Sequence, residues 1–449
     1  MIAIALCVVA FIACYLAGRR SLGQGLVVLF VFGYFYGILR ANLLTTFSHF
    51  IFDTGLLGLY LSPNWRMVNP QERKRSEPVK YWTSILILWP ALLVVLPFQP
   101  FLISVVGLRG NVYFLPLLLL GSRLKSKDIT ELAVGLAALD MVALLFACAE
   151  YVLGVPRFFP YSAVTQIMYA SGDVAGGFLR IPSTFTSAHA FGGTMVGTIP
   201  FLIGLWTTGQ TRLLRVLGLL SIPAAMVGIL MSATRTNFLF GSSMVLFVLF
   251  TIKMQGKRKF FFGVAIAVVA YFALTNVRFQ RFKSLDDKEY VTMRIAGSVN
   301  RGFFEILTEY PLGNGLGGGG TSMPYFLEGQ VRNPIGMENE YARILAEQGI
   351  IGLLIWLAFL VWYFARSRIA FAKGPWSTPR RLLWFSVAIG FSTAWIGTGS
   401  LTSIPGTVLL VLAMGCTAVL PEAAQLSTAP NLAGRRAFQR QGVAAPALR

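Results

Sequence analysis

Charged residues are scarce in this chain of 449 residues. They make up 12% of it, against roughly 25% in an ordinary soluble domain, and 55% of the residues are hydrophobic. This composition excludes a soluble globular protein. Apolar runs long enough to cross a hydrocarbon core of about 30 Å recur along the chain. We therefore interpret it as an integral membrane protein whose spans form the fold itself.

The apolar runs lack the alternation of apolar and polar residues that marks a barrel strand. "AIAVVAYFALT" and "MVLFVLFTIKM" are two examples. Backbone hydrogen bonds must close within each span, so the runs predict helices and an all-α polytopic fold of about 12–13 transmembrane helices. The predicted spans lie near 1–18, 22–40, 82–98, 101–121, 129–152, 188–207, 213–231, 236–253, 260–275, 348–365, 383–400 and 404–420.

Segment 44–62 is left open, because His49 and Asp53 interrupt it. It is either a thirteenth span or a segment lying on the surface, and an interfacial role is the default for His49. No internal repeat is evident, which weakens the case for a transporter built from inverted halves.

Cysteines and acidic pairs are also few. The four cysteines all fall in apolar runs, which excludes a disulfide framework and indicates packing. No Asp-x-Asp pair occurs, and the Asp286, Asp287 and Glu289 cluster is typical of an exposed acidic turn. Gly315, Gly317 and Gly320 spell G-x-G-x-x-G without a preceding strand, so they favour a mobile loop over an acceptor site instead of a nucleotide site. We expect neither metal nor cofactor.

The net charge of +20 is placed in short loops between predicted spans. This positive-inside pattern sets orientation and does not indicate a nucleic-acid partner. The basic loop residues are Arg73, Lys74, Arg75, Arg123, Lys125, Lys127, Arg212, Arg215, Lys257, Arg258, Lys259, Arg366, Arg368, Arg380 and Arg381. Arg19 and Arg20 follow the first apolar run, so that run is expected to be a retained span with its start outside.

These patterns divide the chain into two parts. Residues 1–420 are predicted to form a single transmembrane domain with two periplasmic loops, 153–187 and 276–347. Loops this long are usually functional, and the second carries apolar residues at helical spacing, so we expect short helices there and function on the outer side. Residues 421–449 are predicted to be a disordered basic cytoplasmic tail.

The stretch "ENEYARILAEQGIIGLL" (338–354) places charges directly against a predicted span. Glu340 and Glu347 lie three residues before and four after Arg343, spacings that pair side chains on one face of a helix. Spacing alone favours a helix N-cap at Glu338 and Asn339 followed by a solvated face.

The same stretch resembles the signature of the O-antigen ligase and O-antigen polymerase superfamily, His-Asn, nine residues, then Gly-x-x-Gly. Asn339, Gly349 and Gly352 match this spacing, and Glu338 stands where the ligases have histidine. Further landmarks follow the family's order over roughly residues 80–365: "GLRGNVYFLPLLL" around Arg109, "AEYVLGV" ending at Val155, "RIPSTFTSAHAFGG" from Arg180, "SATRTNF" around Arg235 and "YPLGNGLGGG" from Tyr310.

The resemblance implies a GT-C-like membrane glycosyltransferase that passes a glycan from an undecaprenyl diphosphate carrier to a sugar hydroxyl. The reaction would take place at the periplasmic face of the bacterial inner membrane. Glu338 is the implied catalytic base, and Arg180, Arg235 and Arg294 are the implied ligands of the diphosphate. Arginines would supply the positive charge, so no metal is expected.

The absent histidine favours a polymerase of a surface polysaccharide or exopolysaccharide over a lipopolysaccharide ligase. The expected partners are the lipid-linked glycan, a glycan or lipid acceptor, membrane lipids and polysaccharide-export proteins. A flippase or exporter for the same lipid-linked glycan is the alternative; it would share the basic outer face but would need no base.

Several candidate substrate-binding residues keep two interpretations. Arg109 is a candidate further cation in a broken helix. Ser183 and Asn339 either hydrogen-bond sugar or phosphate, or cap helices. His189 either takes the role of the missing histidine or packs at the interface. Arg235, between two apolar runs, either meets a partner that offsets a cost of about 3 kcal/mol or snorkels to the headgroups.

Overall fold

The computed structural model describes the chain at residues 1–65, 69–170, 178–251, 263–264, 271, 275, 288–297, 303–320, 323–337, 339–372, 374, 376–395, 397 and 399–421. Helices dominate these residues, which confirms the predicted all-α class. The predicted span 260–275 and the tail 421–449 lie almost entirely outside the described residues.

The first twelve helices cover the N-terminal half of the chain. They are α1 (Ile2–Arg20), α2 (Leu22–Tyr34), α3 (Tyr36–Asn42), α4 (Ile51–Leu61), α5 (Pro70–Leu93), α6 (Phe101–Val112), α7 (Pro116–Ser122), α8 (Ser126–Leu153), α9 (Gln166–Ala170), α10 (Ala188–Thr208), α11 (Arg212–Met231) and α12 (Arg235–Thr251).

Six further helices follow. They are α13 (Lys288–Ala296), α14 (Glu305–Glu309), α15 (Glu340–Ala365), α16 (Ser367–Ala370), α17 (Ser377–Thr393) and α18 (Gly406–Thr417). Short 3-10 helices lie at Thr46–Phe50, Val155–Arg157 and Glu328–Gln330. Within residues 276–347, where short helices were expected, the described residues contain α13, α14 and the 3-10 turn at Glu328–Gln330.

Six helical segments are long and apolar enough to cross a membrane: α1, α6 with α7, α8, α10, α11 and α15. A seventh is α2 with α3, which meet at a bend of 42°. The described part of the chain thus has the pattern of a multi-pass membrane protein. It provides fewer full-length spans than the 12–13 predicted. Helices α12 and α18 are shorter apolar helices, α5 and α17 are not among the candidate spans, and the predicted span 260–275 lies almost entirely outside the described residues.

One end of the helix bundle gathers basic residues, and we call it the basic end. Asn64 Nδ2 donates to Arg19 O (2.6 Å), Arg75 Nη2 to Ser122 O (2.9 Å) and Arg380 Nη1 to Cys416 O (2.6 Å). These bonds bring the ends of α1, α4, α7 and α18 beside the starts of α5 and α17. The other end of the bundle, here the opposite end, holds residues 35–50, 178–189, 232–235, 394–395 and 399–405.

Segment 44–62 contains a 3-10 helix and α4. The bond from Asn64 to Arg19 shows that α4 returns the chain to the basic end. Its 11 residues extend about 16 Å, which is shorter than a hydrocarbon core. The turn that carries His49 comes before α4 and lies outside the candidate spans.

Helix α15 is broken at Gly349. Its φ of 69° and ψ of −176° are not helical, and this positive φ favours glycine. The segment after Tyr310 packs into the break: Ile350 N donates to Pro311 O (2.9 Å) and Asn314 N to Ala346 O (2.6 Å). The first half of α15, residues 340–348, is thereby enclosed by the end of the second long loop.

Candidate functional site

Arg180 and His189 meet at the opposite end of the bundle. Arg180 Nη1 lies 2.8 Å from His189 Nε2. A guanidinium has only donors, so Arg180 donates, and His189 accepts as a neutral imidazole. Ser187 caps α10 by accepting from Ala190 N (3.1 Å), which places His189 in the first turn of the helix.

Arg235 begins α12 next to this pair. The preceding turn is held by a 2.7 Å hydrogen bond between the hydroxyls of Ser232 and Thr234. Asn237, one turn into α12, donates from Nδ2 to Thr234 Oγ1 (3.0 Å) and to His189 O (3.3 Å). The first turns of α10 and α12 are therefore in contact, and two of the three predicted diphosphate ligands come from neighbouring segments.

The predicted base and the third arginine cannot be placed in the same way. Glu338 lies outside the described residues. Arg294 belongs to α13, but its side chain is outside the described part of the structure. Asn339, the neighbour of Glu338, is fully buried and caps α15 by accepting from Tyr341 N (2.9 Å) and Ala342 N (3.1 Å). The capping interpretation of Asn339 is confirmed.

The start of α15 is bonded to the chain after α17. Glu340 N donates to Ala394 O (2.8 Å), and Glu340 Oε2 accepts from the backbone N–H groups of Gly399 (2.8 Å) and Ser400 (3.1 Å). The same segment reaches α10, because a Cβ at Gly406 would lie 3.9 Å from Thr194 Oγ1. Residues 394–406 thus connect the chain after Glu338 to the helix that carries His189.

The charges of the first half of α15 are buried, which corrects the predicted solvated face. Glu340, Arg343 and Glu347 are 1%, 1% and 0% exposed. Arg343 Nε donates to Glu340 Oε1 (2.7 Å) and Arg343 Nη1 to Glu347 Oε2 (3.1 Å). Asn111 of α6 completes the network, donating to Glu347 Oε2 (2.5 Å) and accepting from Arg343 and Gln348. This network ties α15 to α6.

The glycine-rich segment 313–320 lies tightly against α6 and α15. A Cβ at Gly107 would lie 2.2 Å from Gly317 N, one at Gly313 would lie 2.8 Å from Gly349 N, and one at Gly319 would lie 2.9 Å from Glu347 Oε1. The segment is glycine-rich because its backbone approaches two helices closely. This packing differs from the mobile loop that the sequence favoured.

Ser183 is buried and makes its hydrogen bonds within the protein. Its N–H donates to Glu150 Oε2 (2.8 Å), its hydroxyl donates to Ala143 O (2.7 Å), and the residue is fully buried. These bonds hold the chain after Arg180 against α8. They favour the structural interpretation of Ser183 over contact with sugar or phosphate.

Arg109 belongs to a second polar group of residues, between α4 and α6. Its Nε and Nη2 donate to both carboxylate oxygens of Asp53, at 2.8 and 2.7 Å. Tyr113 Oη donates to Asp53 O (2.6 Å), and Tyr36 Oη donates to His49 O (2.8 Å). Arg109 is thus a paired cation just before the break between α6 and α7.

His49 is enclosed in this second group. It is 7% exposed, and its ring lies 5.9 and 5.6 Å from the ring centres of Tyr325 and Phe326. Burial, and secondarily the charges of Arg40 and Arg109, lower the pKa of His49 from 6.5 to about 3. The imidazole is therefore neutral at physiological pH.

Sequence reasoning missed Arg40, Asp53 and Asn111 as site residues. Asp53 was noted only as an interruption of an apolar segment, and its partner Arg109 lies 56 residues away. Asn111 carries no local signal, since its partner Glu347 lies 236 residues away. Arg40 does carry one: it is a cation at the outer end of a span, contrary to the charge bias of the other loops. Among the described residues, no group of three or more His, Cys, Asp or Glu side chains could hold a metal ion.

Comparison of the chain with protein-family models and with curated proteins finds no match. The functional assignment therefore rests on the residues and geometry of this chain.

Proposed function

We propose that this protein is a membrane glycosyltransferase of the O-antigen ligase/polymerase type, with a GT-C-like fold. The observation that supports this most is the meeting of Arg180, His189 and the first turn of α12 at one end of the bundle. Arginine forks placed there suit the oxygens of a diphosphate.

We call Arg180, His189 and the first turn of α12 the Arg180 cluster. The concentration of basic residues at the other end of the bundle predicts on which side of the membrane this cluster lies. By the positive-inside rule, the basic end faces the cytoplasm of a bacterial inner membrane, so Arg180 and Arg235 face the periplasm. An undecaprenyl diphosphate carrier holds its diphosphate at the headgroup level, near the ends of the spans. The donor would therefore meet the cluster while its lipid stays in the bilayer.

The proposed reaction inverts the anomeric carbon in one step. Glu338 takes the proton from the acceptor hydroxyl as the hydroxyl oxygen forms a bond to the anomeric carbon. The bond between that carbon and the phosphate oxygen breaks, and its electron pair leaves with the lipid diphosphate. Arg180, Arg235 and Arg294 stabilise the charge that develops there. A diphosphate oxygen is a stronger acceptor than neutral His189, so it can take over the Arg180 donor.

We favour a polymerase of a surface polysaccharide or exopolysaccharide, because glutamate stands where the ligases have histidine. The acceptor is then a second lipid-linked glycan, and export proteins are expected partners downstream.

A flippase for the same lipid-linked glycan is the second candidate. The break in α15 at Gly349 favours it, since discontinuous helices beside buried charges are typical of transporters. A flippase would need the cations but no base at position 338.

Glu338→Gln separates the two candidates. In proteoliposomes containing a lipid diphosphate repeat unit, we expect the variant to form longer glycans at least about 100-fold more slowly, because general-base catalysis typically contributes 10²–10⁴-fold. Movement of single repeat units between leaflets is measured in the same vesicles and should not change.

Glu328→Gln is the matched control, an exposed glutamate in the same loop, and it should extend glycans at the wild-type rate. Normal chain extension by Glu338→Gln would remove Glu338 from catalysis. Leaflet transfer by both the wild type and Glu338→Gln, with no glycan extension by either, would favour the flippase.

A further inference from the structure

Arg40 is a partly exposed cation without an ion-pair partner among the described residues. It lies in the last turn of α3, with its guanidinium carbon 5.2 Å from the centre of the Tyr36 ring. Its Nε atom is buried and has no hydrogen-bond partner, and Arg40 forms no ion pair among the described residues. Withdrawing such a donor from water is costly unless something else accepts from it.

His49 presents a second unused polar atom to the same place. The residue is 7% exposed, and its Nε2 has no hydrogen-bond partner in the described part of the chain. The charged groups nearest to it are Arg40 of α3 and Arg109 of α6, and Asp53 of α4 pairs with Arg109. Two buried nitrogen atoms from separate elements are thus left without partners.

The charges here do not cancel. Arg40 and Arg109 carry two positive charges, Asp53 carries one negative charge and His49 is neutral, so one positive charge remains. A monoanionic oxygen ligand would balance it and would accept from the unused Arg40 donor. The rings of Tyr325 and Phe326 lie beside His49 and are 37% and 36% exposed. They offer a face on which a ligand ring could stack.

We propose that Arg40, His49 and Arg109 form a binding site for a monoanionic oxyanion, separate from the Arg180 cluster. The site fits the carboxylate of an acidic sugar. The phosphodiester of a phospholipid headgroup has the same charge and is the other source of this chemistry. Binding does not depend on the proposed function; only a role as the acceptor subsite rests on it. Ile38 N donates to Thr184 O (3.0 Å), which sets α3 beside the segment that follows Arg180.

The chain has only two histidines, so the NMR signal of His49 can be assigned and followed as a ligand is added. Full-length protein with ¹³C-labelled histidine, in a neutral detergent, is titrated with D-glucuronate, with D-glucose and with glycerophosphoglycerol, the headgroup of phosphatidylglycerol. The His189→Gln variant identifies the His49 signal. We expect glucuronate to shift that signal saturably and glucose to leave it unchanged. The bound anion should also raise the pKa of His49, so that the signal begins to titrate.

Arg40→Gln should weaken glucuronate binding at least tenfold, and Arg40→Lys should recover part of the loss by restoring the charge. Arg157→Gln, an exposed arginine at the same end of the bundle, is the matched control and should bind as the wild type does. An unchanged His189 signal shows that each variant is folded.

Saturable shifts with glycerophosphoglycerol alone would keep the site and assign it to a lipid headgroup. The proposal fails if neither anion shifts the His49 signal, if glucose shifts it equally, or if folded Arg40→Gln binds like the wild type. Should Arg40→Gln not fold, the comparison of glucuronate with glucose in the wild type decides. No donor lipid is present, so failure here is separate from failure of the proposed glycosyl transfer.

Discussion

Arg343→Met is expected to destabilise the protein by about 3–5 kcal/mol, the cost of removing one partner from a buried ion pair. Arg343 is 1% exposed and donates to Glu340 (2.7 Å) and Glu347 (3.1 Å). Methionine fills similar volume but leaves two buried carboxylates without their cation. Because the network ties α15 to α6, the variant should unfold at a lower temperature in detergent micelles.

The chain offers a matched control in Lys127→Met. Lys127 also pairs with a glutamate four residues away, Glu131 (3.9 Å), but its side chain is 82% exposed. Exposed pairs of this kind contribute little, so this variant should melt with the wild type. Combining Arg343→Met with Glu340→Gln and Glu347→Gln removes all three charges and should recover stability. Equal melting of Arg343→Met and wild type would contradict the burial of this network.

Arg180→Gln and Arg235→Gln are each expected to lower kcat/KM for the lipid-linked donor by about 10²–10³-fold. This is the loss typical when one group stabilising a developing anion is removed. Both residues start segments that contact His189, and under the proposed function both would meet the same diphosphate. Lysine at either position should recover only part of the activity, since its point charge does not replace the bidentate fork.

The control for this pair is Arg157→Gln, which removes an exposed positive charge from the same end of the bundle. It should retain wild-type kinetics, which excludes a general effect of surface charge. Donor binding without transfer, measured with pyrophosphate as a competitor, should weaken in both test variants. Wild-type kcat/KM in folded Arg180→Gln and Arg235→Gln would remove the cluster from the reaction.

The helices were the most predictable part of the fold. The length of the apolar run predicts a span at 129–152, and α8 covers Ser126–Leu153. Breaks were harder to predict, because they depend on distant backbone. Gly349 lies within the predicted span 348–365, yet its φ is not helical, because residues 311–314, more than thirty positions earlier, pack into the helix there.

The candidate site was predictable only in part, and for a physical reason. The i,i+3 and i,i+4 spacing of Glu340, Arg343 and Glu347 did pair these side chains. Their burial was not predictable, because it comes from Asn111 and from the glycine-rich segment that covers them. Arg180 and His189 are nine residues apart, and the chain between them is held by bonds to distant elements, such as that of Ser183 to Glu150 of α8, which carry no local sequence signal.

The central claim is that lipid diphosphate is the leaving group of a glycosyl transfer at the end opposite the basic loops. The most direct measurement is the stoichiometry of the purified wild type in proteoliposomes, supplied with a lipid diphosphate glycan and no nucleotide or divalent ion. We predict lipid-linked glycans longer than one unit, one free lipid diphosphate for every new bond, and inversion at the anomeric carbon. Unchanged single units, or extension only after a nucleotide sugar is added, would contradict the account.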